Sequence, residues 1–272
     1  MILDVIKKTL RRSARVPVDA NGYVATLQDN LVPGVRLNQF KADLQQGSGH
    51  ELSGKFCALH SSSALAVNTF APFKDQPRDL ILLGKRGWGP PVFEQQLPTG
   101  LKGTPPTLDV FFQCGEEVVA IEAKFLEYFS PKKAKFSPSY SKANLPWVED
   151  VWWKAMEDAT QAGRQHLDVA QLVKHYFGLC HSLSRGDAES RKPAKATLLY
   201  LFWEPDNRKD IEICQNHRRE IKEFHSRVSP SKITFRSLSY PELWRTWANE
   251  PSLATHAGHL QKKYGVQISL GA

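Results

Sequence analysis

The sequence contains no apolar run of the ~20 residues that a membrane-spanning helix requires. Its N-terminus also lacks the apolar segment of a secretory signal peptide. Cysteine is scarce, with four residues in a chain of 272, which is too few for a disulfide framework at this length. We therefore expect a cytoplasmic protein that has no membrane partner and whose fold does not depend on disulfide bonds.

The charge balance is moderately basic. Lys and Arg total 36 against 28 Asp and Glu, and the net charge of +8 favours a polyanionic partner such as nucleic acid. The hydrophobic fraction of 41% suffices for an ordinary globular core. We see neither an internal repeat nor a long low-complexity tract. These features predict a single domain over residues 1–272, with a core at roughly 50–240 and elaborations at 1–49 and 241–272.

The hydrophobic pattern predicts alternating helices and strands after residue 60. The run from Ser61 to Phe70 has a serine available as N-cap for a first helix, and Pro72 follows the end of that helix. We predict helices over 61–70, 150–160, 161–179 and 209–226, strands over 91–96, 107–113, 117–125, 196–203 and 232–238, and one or two terminal helices. This order predicts an α/β fold in which helices flank a mixed central sheet on both faces.

The hairpin at residues 107–125 carries the strongest chemical signal. Gly115 and Glu116 form a two-residue turn with glycine at the first central position, which suits type II′. This turn fixes the register, so that Asp109 lies opposite Glu122 with Cβ atoms ~5 Å apart. Lys124 follows Glu122 by two residues and therefore points to the same face of the sheet.

Apolar residues occupy the opposite face of this hairpin, so the two acids and the lysine emerge from otherwise apolar strands. Juxtaposed carboxylates repel each other by up to ~1 kcal/mol, and more when they are buried. A Mg²⁺ ion between them, for which Mn²⁺ would substitute, removes this repulsion and can accept phosphate oxygens. Lys124 would then stabilise the charge that develops at phosphorus or orient the attacking water. The alternative is a surface hairpin in which Lys124 neutralises a carboxylate. The residues predicted for the apolar face are Leu108, Val110, Phe112, Val119, Ile121 and Phe125.

Asp109 followed by Glu122-Ala-Lys124 resembles the motif of the PD-(D/E)XK nuclease superfamily, although Thr107-Leu108 replaces the proline of that motif. Segments 50–55, 60–70, 93–110 and 122–128 more specifically resemble a bacterial restriction-endonuclease-like subgroup. The resemblance implies a core of helix, three strands, helix and strand, with extra helices here. It also implies that Asp109 and Glu122 bind metal and that Lys124 is catalytic.

The resemblance suggests further site residues. An acid on the first core helix often completes the metal site in this superfamily, and Glu51 is the first candidate for that role. Glu94 is the second candidate, and otherwise a half-exposed strand glutamate. Gln171 flanks the buried stripe of a helix on which some exonuclease-like relatives carry an active-site glutamine; otherwise it is an exposed polar residue. Glu127 is more typical of a surface position.

A basic loop with interleaved aromatic residues follows the hairpin at 129–136. We expect Lys132, Lys133 and Lys135 to contact nucleic-acid phosphates, the alternative being a solvated loop. Two Cys-x-x-His pairs, at 57–60 and 214–217, suggest halves of a zinc site, but free cysteines are more often core residues.

These features together predict a Mg²⁺-dependent deoxyribonuclease, an endonuclease in preference to an exonuclease, with DNA as its partner. A homodimer is compatible with the sequence. Two alternatives remain open: a nucleic-acid-binding module that has lost catalysis, and an α/β scaffold protein whose carboxylates form structural ion pairs.

Overall fold

A computed structural model describes residues 2–46, 52, 54–185 and 195–269. Its centre is one five-stranded sheet with the strand order β1-β2-β3-β4-β5. The first three strands form an antiparallel meander, and β4 and β5 continue the sheet parallel to β3. The strands are β1 (Val92–Gln96), β2 (Thr107–Cys114), β3 (Glu117–Lys124), β4 (Lys195–Phe202) and β5 (Thr234–Ser239).

Helices surround this sheet in the order predicted from the sequence, and the mixed α/β architecture is confirmed. The described chain contains α1 (Ile2–Ser13), α2 (Lys41–Gln46), α3 (Ser62–Phe70), α4 (Asp150–Gln161), α5 (Val169–Arg185), α6 (Glu212–Val228), α7 (Tyr240–Ala248) and α8 (Ala254–Tyr264). The predicted N-cap of α3 is present, since the Ser61 hydroxyl accepts a hydrogen bond from the Ala64 amide. No helix in these ranges is long and apolar enough to span a bilayer.

Each face of the sheet is buried under its own apolar layer. On one face, Phe112 of β2 packs edge-to-face against Phe70 of α3, with a centroid distance of 5.4 Å. On the other face, Trp152 of α4 stacks on Tyr176 of α5 at 3.9 Å. Helices α1 and α8 contribute to the first layer, and α4, α5 and much of α6 to the second. The central strands β3 and β4 are therefore buried along almost their whole length, and polar groups that project from them are desolvated.

The hairpin between β2 and β3 has the predicted turn and register. Gly115 has a φ of +60°, which a type II′ turn requires at its first central position. Cys114 pairs with Glu117, and the ladder continues to Val110 and Ile121. The predicted register is thus confirmed up to the pair of Val110 with Ile121, which is adjacent to the expected pair of Asp109 with Glu122.

One apolar position of the hairpin was predicted on the wrong face. Leu108 packs with Leu97 and Ala120 in the layer beneath α4 and α5, instead of with Val110. Leu108 is still paired with Gln95 of β1, although the ladder between β2 and β3 ends at Val110. The change of layer coincides with Glu94, whose left-handed backbone (φ +52°) lies between the pairs Phe93–Val110 and Gln95–Leu108 and interrupts the regular alternation of side chains.

Candidate active site

Three acidic residues, which we call the acid row, lie at one level of the sheet on three neighbouring strands. Glu94 is in the middle of β1, and the residue pairs on either side of it put Asp109 of β2 opposite. Asp109 follows the last pair of the β2–β3 ladder, and the hydrogen bond from the amide of Ala123 holds it close to Glu122, whose charge acts on it. Glu94 has a φ of +52°, a left-handed conformation that costs a non-glycine residue about 1–3 kcal/mol. Such strain is typical of functional positions, and here it falls on a residue whose charge acts on Asp109.

Asp109 is held against β3 through the backbone. Its Oδ2 atom accepts a hydrogen bond of 2.7 Å from the amide of Ala123. Burial raises the pKa of Asp109 well above its usual range, and the negative charges of Glu122 and Glu94 raise it further against the opposing effect of Lys124. The carboxyl group therefore lies where additional positive charge would stabilise its ionised form.

Glu122 has the opposite electrostatic environment, although it is only 1% exposed. One carboxylate oxygen accepts a hydrogen bond from the ammonium group of Lys124, and the other lies 2.6 Å from Nε2 of His175. Burial alone would raise the pKa of Glu122, but Lys124 and His175 outweigh it and lower the pKa to about 2. Glu122 is therefore ionised at neutral pH.

Lys124 is buried and fixed between two partners. Its Nζ atom donates to Glu122 and, over 2.8 Å, to Oε1 of Gln171 on α5. Burial would lower the pKa of Lys124, but the charges of Glu122 and Asp109 raise it above its ordinary value. The side chain is thus a permanent cation at neutral pH and is unsuited to act as a general base.

Helix α5 contributes a second residue to this cluster, which sequence reasoning missed. His175 follows Gln171 by four residues, so both side chains lie on one face of the helix and reach the Glu122–Lys124 pair. His175 is 1% exposed, and its Nδ1 has no hydrogen-bond partner among the described residues. The i, i+4 spacing of Gln171 and His175 was the available signal.

Tyr200 was also missed. It pairs with Glu122 across β3 and β4 and is fully buried. Its hydroxyl lies 2.9 Å from Nε2 of His217. Burial lowers the pKa of His217 to about 3, so this imidazole is neutral and can accept the tyrosine proton in a hydrogen bond. A tyrosine in an apolar strand has no sequence signature that separates this role from ordinary packing.

A narrow cleft of about 10 Å³, with room for about one water molecule, lies beside the buried lysine. Lys124, Tyr200 and Lys132 are among the residues that line it, and Lys132 belongs to the exposed basic loop. Lys133 and Lys135 are exposed further along the same loop. The other residues that line the cleft are Glu127, Tyr128, Ser130, Gln165, His166 and Asp168.

Two of these cleft residues have clear packing roles. Glu127 is half-buried, and its side chain accepts a hydrogen bond of 2.7 Å from the amide of Phe125. Tyr128 stacks on His217 at a centroid distance of 4.0 Å. Glu127 therefore stabilises the turn after β3. The sequence favoured a surface position for Glu127, and its side chain is only partly exposed.

The side chains of the acid row have the donor chemistry of a metal site. Within the described ranges, no three His, Cys, Asp or Glu side chains form a ready metal-ligand group, so neither Cys-x-x-His pair belongs to a zinc site there. Asp109 and Glu122 are hard oxygen donors of the kind that Mg²⁺ prefers. Glu122 keeps acceptor capacity, because each carboxylate oxygen offers two lone pairs and uses one here. The oxygen atoms of Asp109 and Glu122 therefore have the right chemistry for a divalent cation, but together with Glu94 or His175 they do not form a ready group of three ligands. Glu51, the third expected ligand, lies outside the described residues.

Comparison with known proteins places the chain in a family. No curated protein and no solved structure matches the chain. The sequence model of the family REase-ARP, described as restriction endonuclease associating with ARP, matches residues 12–265, a range that includes the acid row, Lys124 and all of α5. A restriction-endonuclease description indicates a nuclease-like function. The chain belongs to this restriction-endonuclease-like family.

Proposed function

We propose that the chain is a metal-dependent nuclease that hydrolyses phosphodiester bonds of DNA, with endonucleolytic cleavage. One observation carries the proposal: a buried lysine is fixed beside a row of three carboxylates at one level of the sheet. Membership of a restriction-endonuclease-like family supports it. The net charge of +8 suits a polyanionic substrate.

In this proposal Asp109 and Glu122 hold Mg²⁺, and Glu94 adds negative charge or a further oxygen ligand. When bound, the ion polarises a phosphoryl oxygen and lowers the pKa of a water molecule. The position of Asp109 supports this assignment: it is buried close to the charges of Glu122 and Glu94, both of which raise its pKa, and a bound cation would offset these effects.

Lys124 acts as a fixed cation. Its contacts with Glu122 and Gln171 orient the ammonium group in advance, so that little reorganisation is needed when charge develops on the phosphoryl oxygens. Because its Nζ atom donates hydrogen bonds to both Glu122 and Gln171, it is bound as an ammonium group, which has no lone pair to accept a proton from water. Water activation therefore falls to the metal site, and Lys124 stabilises the transition state.

His175 is a positioning residue in this scheme. Its Nε2–H donates to one oxygen of Glu122, and this hydrogen bond fixes the orientation of the Glu122 carboxylate within the acid row. The basic loop would contact phosphates on either side of the scissile bond through Lys132, which lines the cleft, and through the exposed Lys133 and Lys135.

The direct test is incubation of the purified protein with supercoiled plasmid, linear duplex DNA and RNA, each with Mg²⁺ or with EDTA. We expect nicking or linearisation of the plasmid only with Mg²⁺. Asp109→Asn should abolish it, Lys124→Gln should slow it strongly, and the exposed α4 variant Lys154→Gln should retain it. Degradation of linear DNA from its ends alone would make the enzyme an exonuclease. Equal cleavage by Asp109→Asn and the parent would contradict the proposed site.

A second candidate function has one observation in its favour. Both carboxylate oxygens of Glu122 are already engaged by Lys124 and His175 in a buried cluster, as expected if the ion pairs serve only to hold the fold. In that case the protein is a scaffold, or a DNA-binding module that does not cleave. Metal-independent stability, with or without DNA binding, would favour this candidate.

A further inference from the structure

A cavity of about 360 Å³ lies between the end of α1, the loop at residues 29–33 and helix α8. None of the residues that line it belongs to the acid row or to the cleft beside Lys124. Its volume is in the range of small-molecule sites, which is about 300–1,000 Å³. The cavity is therefore large enough for a ligand of its own.

The walls of this cavity are mainly apolar and are fixed in place. Leu10, Val32 and Tyr264 line it. The buried side chain of Asn68 ties two of these walls together, since its Oδ1 accepts from the amide of Val32 over 2.8 Å and its Nδ2 donates to the Tyr264 hydroxyl over 2.7 Å. Trp203 also donates to the carbonyl of Tyr264 over 3.0 Å. A preformed cavity binds without the entropic cost of ordering its walls.

Positive charge predominates in the cavity. Arg15, Lys262 and Lys263 line it together with a single carboxylate, that of Asp29. Asp29 is engaged locally, because its Oδ2 accepts hydrogen bonds from both the amide and the hydroxyl of Thr26. The charge balance of the cavity therefore favours an anion.

Lys263 is the cation best placed to bind that anion. It is half-buried, and no ion pair joins it to a carboxylate in the part of the chain that the structure describes. Its Nζ atom lies 5.6 Å from the centroid of the Tyr264 ring, which compensates the charge only in part. Burial lowers the pKa of Lys263 to about 8, a sign that its ammonium group is poorly solvated.

We propose that this cavity binds a small organic anion, whose apolar body contacts Leu10, Val32 and Tyr264 and whose carboxylate or phosphate group pairs with Lys263. The apolar walls account for the body of the ligand, and the unpaired ammonium group accounts for its charge. A nucleic-acid backbone lacks such an apolar body, so this site is distinct in chemistry from the proposed nuclease site.

Binding is tested with the full chain and the fluorescent probe anilinonaphthalene sulfonate, an aromatic anion, at neutral pH. Octanoate and octyl phosphate are added as competitors, and octylamine is the matched cation. We expect saturable probe binding that octanoate or octyl phosphate displaces and that octylamine does not. The relative potency of the two anions distinguishes a carboxylate ligand from a phosphate ligand.

Three variants locate the site. Lys263→Met keeps the length of the side chain, removes its charge and should weaken probe and octanoate binding roughly tenfold or more. Ala14→Trp fills the cavity from its wall and should abolish binding. Lys154→Met, on the exposed face of α4, is the control and should bind as the parent does. Thermal melts establish that each variant is folded.

Two results would overturn the proposal. The first is unchanged binding in folded Lys263→Met and Ala14→Trp, which would put the probe elsewhere. The second is displacement by octylamine as effective as that by octanoate, which would show that the cavity selects for apolar bodies and not for negative charge.

Discussion

Addition of a divalent cation should stabilise this fold, because the cation binds the folded arrangement of Asp109 and Glu122 and not the unfolded chain. In the absence of metal, Asp109 is held close to the charges of Glu122 and Glu94, and its pKa is raised by burial and by these charges. A bound cation relieves this repulsion. The measurement requires no knowledge of the DNA substrate.

The size of the effect follows from mass action. At a metal concentration of ~100 Kd the folded state gains about 2.7 kcal/mol. A chain of 272 residues, at about 2.1 cal/mol/K per residue, has an unfolding entropy of about 0.57 kcal/mol/K, so the Tm should rise by roughly 5 °C. Thermal melts at pH 7 over a millimolar titration resolve such a shift. Mn²⁺ should act at least as strongly as Mg²⁺.

Two matched variants identify the site. Asp109→Asn should lose most of the metal response. In the absence of metal the Tm of this variant should equal or exceed that of the parent. The neutral amide carries neither the cost of burying a charge nor the repulsion by Glu122 and Glu94, which together raise the pKa of Asp109. Asp150→Asn is the control: Asp150 is exposed, pairs with Lys142 at 2.6 Å and should keep the full response.

The outcome separates the two candidate functions. If melts of the parent with and without Mn²⁺ coincide throughout the millimolar range, the carboxylates are not a metal site and the scaffold interpretation replaces the nuclease. A full metal response in Asp109→Asn would show that the cation binds elsewhere.

Three further predictions concern individual residues. Lys124→Gln should lower the cleavage rate of plasmid DNA by roughly 10²–10³-fold, as measured by nicking kinetics, because it removes a positioned charge from the transition state. Burial lowers the pKa of His217 to about 3 from an ordinary 6.5. Between pH 6.5 and pH 3 this imidazole is therefore protonated in the unfolded chain and neutral in the folded chain. The free energy of unfolding should therefore fall with pH toward 3, by about 1.4 kcal/mol per pH unit from this residue, and urea denaturation of His217→Gln should lack that contribution. Replacement of Lys132, Lys133 and Lys135 by Gln should make DNA binding less sensitive to salt. The slope of the logarithm of the DNA-binding constant against the logarithm of the salt concentration should decrease in magnitude by roughly 0.9 for each phosphate contact that is lost. An unchanged slope would show that the loop does not contact DNA.

The sequence alone determined the order of elements and the hairpin at the centre of the site. Both are local properties. The periods of 3.6 and 2 residues follow from backbone geometry, and the two-residue turn at Gly115 sets the pairing of β2 with β3. Glu122 and Lys124 share a face because they are two residues apart on β3. Asp109 lies one residue past the last β2–β3 pair, where the Ala123 amide holds it. Leu108 shows where this reasoning ends: it is still paired with β1, but beside the left-handed Glu94 its side chain changes layer.

Only the tertiary structure decided what surrounds the three residues. His175 and Gln171 reach Glu122 and Lys124 from a helix about fifty residues further along the chain. Tyr200 arrives beside Glu122 because β4 pairs in parallel with β3. Such contacts depend on how a helix packs on the sheet and on which strands become neighbours. The burial that separates the pKa values of Asp109 and Glu122 exists only once helices cover both faces of the sheet, and for that reason no local pattern encodes it.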